Sequence, residues 1–499
     1  MGEAAAGAAA LTLAVFVPGW LWTWLWPSAT AGRLFPTLLR WGLALLLGLI
    51  VNAWGCVLAG SLGVWSATTA WSVALACAAA GVALGRWRRR PLPPGGLAGL
   101  AVCTAFCMAV LLWNPGSEWV LGGWDPGVYV NEGLLACRTG SFAPPPDAFY
   151  RALGPEALRA VATDFGTHWE MFPGVPLNIE RAALEPAFPR LTSAVIAVVA
   201  RFAGPAAAPC APTLLAALAL LLLGAGLAAA GAPAALTIAA LLCVGCQPVF
   251  LFHAHTPGSE LPELILVIGL AVCIWQRPQA RAWTGLAALL TLTAAANRLS
   301  FFLFGALLAL LWALADCAEP SPRRGHAAER LALAAALLAG SALHRLLTPV
   351  AVLKLAHVLP RLHRAGAGLL IAALALDAAG HRSAWRPRLA AAASAALRWG
   401  LPALVLAVGI AALVGGTSWE ELRANLRIQA TYAGPTLAVA ALGGMLAAPV
   451  WPLPPAARAL ALFLAGASVA VLKQKHAAEL YPWATKRFLP FTVPLLGLS

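Results

Sequence analysis

Apolar residues in this chain neither alternate with polar ones nor form one face of a helical pattern. They come in unbroken runs, each close to the ~20 residues that cross the hydrocarbon core of a bilayer as a helix. The runs cover 4–26, 36–60, 65–85, 97–113, 211–230, 232–250, 261–277, 283–297, 299–316, 328–346, 365–379, 391–414, 432–449 and 456–473. A last run opens near Phe488 and is cut by the chain end, the pattern of a truncated chain. Inside lipid every backbone N–H and C=O needs a partner within the protein. Runs without alternation meet that need as helices, not as barrel strands. The pattern predicts an all-α, polytopic membrane protein with about 14–15 transmembrane helices.

Two segments depart from this pattern. Residues 114–189 form the one long polar stretch, with the Pro-rich turn Pro144-Pro145-Pro146-Asp147 and helix-like pieces after it. It reads as a folded loop, not a linker. Residues 191–200, LTSAVIAVVA between Arg190 and Arg201, have an apolar core of about 10 residues. That length predicts an interfacial or re-entrant helix, which extends the loop region to 114–210. Its placement decides the side of every later loop.

Composition agrees: 61% of residues are hydrophobic and 10% charged, against roughly 25% charged in a soluble domain. The start, Met1-Gly2-Glu3, lacks the positive residues that head a cleavable leader, so the first run reads as a retained helix. The net charge is +14, and all but four of the basic residues are Arg in a background of Ala, Leu, Gly and Pro, the signature of a GC-rich bacterial gene. The strongest basic cluster beside a span is Arg86-Trp87-Arg88-Arg89-Arg90. Placed in the cytoplasm, it puts the N-terminus and the 114–189 loop outside. Arg323, Arg324, Arg382, Arg386 and Arg388 then fall inside, while Arg361, Arg364, Arg423, Arg427, Lys473, Lys475, Lys486 and Arg487 fall outside, against the rule. Loop anchoring accounts for much of this charge. Its scatter among membrane segments excludes a nucleic-acid surface. Most of the ten cysteines lie within apolar runs, and Cys243-Val-Gly-Cys246 has metal-motif spacing but no second pair. They read as small buried hydrophobes.

Candidate chemistry gathers at run ends. The loop carries Trp124-Asp125-Pro126-Gly127-Val128-Tyr129-Val130-Asn131-Glu132-Gly133. If a helix begins there, Asp125, Tyr129 and Glu132 share one face at i, i+4 and i+7. Capping by Asp125 with Pro126 at the first helical position explains Asp-Pro on its own, yet not a carboxylate face aimed at the membrane. A second constellation is His253-Ala254-His255-Thr256-Pro257-Gly258-Ser259-Glu260, with Glu263 behind it. His253 and His255 with a carboxylate are a candidate divalent-metal set, though their spacing matches no standard zinc motif. Interfacial anchoring accounts for the histidines equally. Glu260 points to function, because carboxylates beside hydrocarbon are costly. Arg298 interrupts an apolar stretch, and Lys486-Arg487 precede Phe488-Leu489-Pro490. These basic groups suit either helix-end anchoring or a phosphate.

The stretch Asp125-Pro126-Gly127-Val128-Tyr129, with Gly133 and Arg138-Thr139-Gly140-Ser141, resembles the first outer loop of bacterial GT-C glycosyltransferases of the family 39-like, protein mannosyltransferase-like kind. Phe172-Pro173-Gly174, Phe188-Pro189-Arg190 and the Tyr481–Pro490 run are similar to later parts of those proteins. The resemblance runs from about residue 97, leaving 1–96 as an added N-terminal transmembrane segment and 97–499 as the catalytic module. It implies an inverting transferase that moves a sugar from a polyprenyl-phosphate donor to an acceptor glycan, lipid or protein at the outer face of the cytoplasmic membrane. It makes Asp125 the catalytic base or metal ligand, with Glu260 beside it. Tyr129, Glu132, Arg298, Lys486 and Arg487 become the substrate-binding set. A transporter or flippase for lipid-linked glycans is the rival from another class. An O-antigen polymerase or ligase is the rival within membrane glycosyl transfer. The sugar and acceptor stay open.

Overall fold

The computed structural model describes residues 2–25, 34–89, 93–113, 125–143, 146, 148–164, 169–172, 175–185, 188–276, 282–319, 326–348, 358–380, 385–414, 420, 423–426, 435–450 and 453–472. Apart from turns and connections, these residues are helical except for one small sheet. They divide into two compact units. The first holds Met1–Ala225, His253–Pro262 and Ala342–Leu359, and the second holds Gly226–Phe252, Glu263–Ser341 and Pro360–Ser499.

The first unit is built around α1 (Gly2–Trp22), which packs on α2 (Leu34–Ser61), α3 (Ala67–Trp87) and α4 (Gly96–Trp113). Small residues bring α1 and α2 into backbone contact. A Cβ on Gly48 would fall 1.6 Å from the Val15 carbonyl oxygen, and one on Gly19 would fall 1.9 Å from that of Ala44. Apolar surface gives helices little reason to associate within lipid, so close approach of this kind, with dispersion contacts and hydrogen bonds, replaces it. Asn52 supplies such a bond, its Nδ2 donating to the Ala14 carbonyl at 2.9 Å.

After these helices come α5 (Asp125–Thr139) and α6 (Ala148–Val161), the latter kinked at Gly154, where φ is 73°, before Pro155 restarts it. Four short antiparallel strands follow in sequential order: β1 (Thr163–Asp164), β2 (Trp169–Phe172), β3 (Val175–Asn178) and β4 (Ala183–Leu184). Leu158 of α6 packs with Leu177, Ile179 and Ala182 in a small core, with Tyr150, Trp169 and Met171 around it. The polar stretch is thus folded, as its composition predicts, but it contains a sheet as well as helices. Helix α7 (Arg190–Ala203) then packs on α1, α2 and α5, and α8 (Ala211–Ala229) follows it.

Segment 191–200, expected as an interfacial or re-entrant helix, is a helix enclosed by protein: every residue from Thr192 to Ala200 is buried. A helix that is apolar all round belongs in an interior. At about 1.5 Å per residue its 14 residues extend only about 21 Å, short of a bilayer core.

Next in the chain come α9 (Ala234–Gly245), α10 (Pro248–His255), α11 (Glu260–Gln276), α12 (Ala282–Asn297), α13 (Phe301–Ala318), α14 (His326–Leu347), α15 (Leu359–Gly380), α16 (Arg386–Val414), α17 (Pro435–Ala447) and α18 (Pro455–Leu472). In the second unit α13 packs against α16 and α18. Three charges are buried together there. Arg330 of α14 bonds Asp377 of α15 through Nε and Nη2, and its Nη2 lies 2.9 Å from Asp316 of α13.

Among the described residues nine helices are long and apolar enough to cross a membrane, and they fit a multi-pass membrane protein. The pair α9 and α10 passes only as one span bent by 64°. Here the structure corrects the continuous run expected over 232–250. Pro248 brings no N–H and disfavours helical backbone at Gln247, so the helix breaks between Gly245 and Pro248. The runs at 261–277 and 283–297 form helices of 17 and 16 residues.

Candidate functional site

Helix α5 begins at Asp125, whose side chain lies outside what the structure describes, with Pro126 in the first turn, where a missing N–H costs nothing. Tyr129 is buried, its ring 5.3 Å from that of Phe188. One turn further on, Ser193 Oγ donates to Glu132 Oε2 at 2.5 Å, and Arg201 Nη2 donates to the Cys137 carbonyl. Along α5 these partners rise in sequence along α7, so the two helices run side by side in the same direction. They approach closely: a Cβ on Gly133 would fall 2.7 Å from the Ser193 carbonyl oxygen and 2.8 Å from Ile196 Cγ2. Glycine is what lets Glu132 reach across.

Glu132 is only 5% exposed. Burial pushes its carboxyl up to about 7, against a smaller opposing pull from the Ser193 hydroxyl and the Arg190 charge. Its Oε1 is buried with no hydrogen-bond partner among the described residues. Arg190, facing this carboxyl, donates to Ser61 Oγ at 2.8 Å and lies over the Phe142 ring.

The second constellation belongs to the same unit. Thr192, the neighbour of Ser193, donates from Oγ1 to the Gly258 carbonyl at 3.5 Å. Thr213 of α8 holds the preceding helix by donating to the Ala254 carbonyl at 2.7 Å. Glu260 is buried at the start of α11, where the helix dipole favours its charge. Its carboxylate folds back over the turn, since a Cβ on Gly258 would lie 2.5 Å from its Oε2. His253 is buried and His255 exposed. Two residues apart on α10, they face nearly opposite sides of that helix. Among the described residues no group of three or more His, Cys, Asp or Glu side chains is arranged for a metal.

In the second unit Arg298 follows the C-terminus of α12, where a cation is favoured, and its Nη1 lies 2.5 Å from Oε2 of buried Glu263. The guanidinium is 23% exposed. Lys486 and Arg487 lie outside the described residues, as does the Tyr481–Pro490 run. Sequence reading had no place for Thr192 and Ser193. Two hydroxyls inside an apolar run look like helix filler, and only the neighbouring carboxylate gives one of them a task. Nor did it pair Glu263 with Arg298, which stand 35 residues apart.

A cavity of about 330 Å³ lies in the first unit, lined by apolar side chains such as Leu11, Trp41, Phe106, Val195, Val199 and Leu218. Comparison with known proteins finds no family model, no curated protein and no solved structure that matches this chain.

Proposed function

We propose that the chain is an inverting membrane glycosyltransferase of the GT-C kind, moving a sugar from a polyprenyl-phosphate donor to an acceptor at the outer face of the cytoplasmic membrane. The observation that carries this reading is that two acid-bearing segments, α5 with Asp125 at its head and the turn leading to Glu260, are each bonded to consecutive residues of one buried helix. A carboxylate buried among apolar helices, as that of Glu260 is, is costly and suits a task.

In this reading Asp125 removes the proton from an acceptor hydroxyl. The freed oxygen attacks the anomeric carbon as the bond from that carbon to the phosphate oxygen breaks on the opposite face. Polyprenyl phosphate leaves, and the anomeric configuration inverts. A basic side chain supplies positive charge for the leaving phosphate. Glu260 is the second carboxylate, and Tyr129 and Glu132 shape the α5 wall. The apolar cavity bordered by Val195 and Val199 suits a length of the lipid tail.

The test is Asp125→Asn, which keeps capping ability and removes the charge. Transfer from radiolabelled polyprenyl-phosphate hexoses or pentoses is expected to fall at least ~100-fold with expression intact. Near-normal transfer by the Asn protein refutes the role. A flippase for lipid-linked glycans is the second reading, favoured by the buried Arg330, Asp316 and Asp377 charges. It predicts movement of the intact donor across vesicles without sugar transfer.

A further inference from the structure

Helix α7 is lined by protein from Thr192 to Ala200, and Ala, Val or Ile fills all but two of those positions. Thr192 and Ser193 are the exceptions, 2% and 0% exposed. A buried hydroxyl costs stability unless it is bonded, and an alanine in its place would pack without that demand. Successive residues on a helix point about 100° apart, so adjacent hydroxyls naturally serve two different neighbours. That is what these two do: Ser193 bonds Glu132 of α5, and Thr192 bonds the Gly258 carbonyl of the turn that ends in Glu260.

We propose that Thr192 and Ser193 are positioning residues: together with Glu132 they set the segment headed by Asp125 and the segment ending in Glu260 in one register, through a single rigid helix. The proposal rests on the transferase reading above. Neither hydroxyl touches the reacting atoms. Each acts through the segment it holds, Ser193 along α5 and Thr192 through the 256–260 turn. The close contact at Gly133 makes the α5 arm stiff, because no side chain separates the two backbones there. The Thr192 bond is the longer of the two, 3.5 Å against 2.5 Å, which makes the turn the looser arm.

The test uses the full chain in lipid nanodiscs, with Thr192→Val, Ser193→Ala and the conservative Thr192→Ser. Hydrogen exchange reads position directly. Thr192→Val is expected to speed exchange in 256–262 but not in α5, and Ser193→Ala to speed it in α5 but not in 256–262. General destabilisation would speed both together, and that result overturns the proposal. Transfer from radiolabelled polyprenyl-phosphate hexoses or pentoses is the second readout. A small misplacement of reacting groups costs on the order of 10- to 100-fold. Each disruptive variant should lose that much in kcat with little change in KM, and Thr192→Ser should restore it. An active wild type with equally active variants overturns the positioning role alone. A wild type that transfers no sugar overturns the parent reading and takes this proposal with it, whatever the exchange pattern.

Discussion

Glu132 is the residue where physical chemistry makes the sharpest demand. Its carboxyl ordinarily titrates near 4.5 and is pushed up to about 7 by burial. Below pH 4.5 the group is protonated whether the protein is folded or not, and it adds nothing to the pH dependence. Above 4.5 the unfolded chain ionises first, so the folded state loses stability as pH rises, until the buried group itself ionises near 7. The gap amounts to about 3 kcal/mol, lost above neutrality. Glu132→Gln escapes this loss. Thermal melting in detergent should show the variant more stable than wild type at pH 8, with the difference shrinking toward pH 5. A wild type that gains on the variant as pH rises from 5 to 8 would contradict the buried position. At this scale the sequence was partly readable. The i, i+4, i+7 spacing put Tyr129 and Glu132 on one face, and both are buried against α7 and the residues leading into it. What it could not supply was the partner, since Ser193 lies 61 residues away in a run chosen for its apolarity.

Among the elements, α13, α14 and α15 are tied by charges. Arg330 stands in the second turn of α14, and Asp316 and Asp377 stand in the last turns of α13 and α15. Removing one member of such a group leaves the others buried without compensation, a loss of about 3–5 kcal/mol. Arg330→Met should therefore lower the melting temperature sharply, and adding Asp316→Asn and Asp377→Asn should recover part of the loss. Equal melting for the single and triple variants would show that the charges do not act as one group. Helix positions were legible because apolar runs of membrane length leave little choice of structure, and α2, α3 and α4 start and stop within a few residues of their runs. The break before Pro248 was signalled by the proline and masked by the hydrophobicity around it. Strands of two to four residues left no period to read, so the sheet was invisible.

For the whole molecule, sidedness decides whether the two readings of function remain open. Charge counting puts the 114–189 loop outside and Arg386 with Arg388 inside. In a cysteine-free background, an impermeant thiol reagent added to intact cells should label a cysteine at exposed Arg151 and miss one at exposed Trp385. Labelling of both, or of Trp385 alone, would reverse or break the arrangement on which an outer-face site depends.

On the transferase reading, the small sheet in that loop bears on how an acceptor can be met. Both edge strands, β1 and β4, are two residues long as described. A polypeptide captured by strand addition needs a row of open N–H and C=O groups along an edge. Among the described residues these edges offer room for little more than one residue pair each. If the proposed transferase meets its acceptor at this sheet, choice has to come from side chains reading local shape and polarity, and tolerance toward acceptor backbone is the expected consequence.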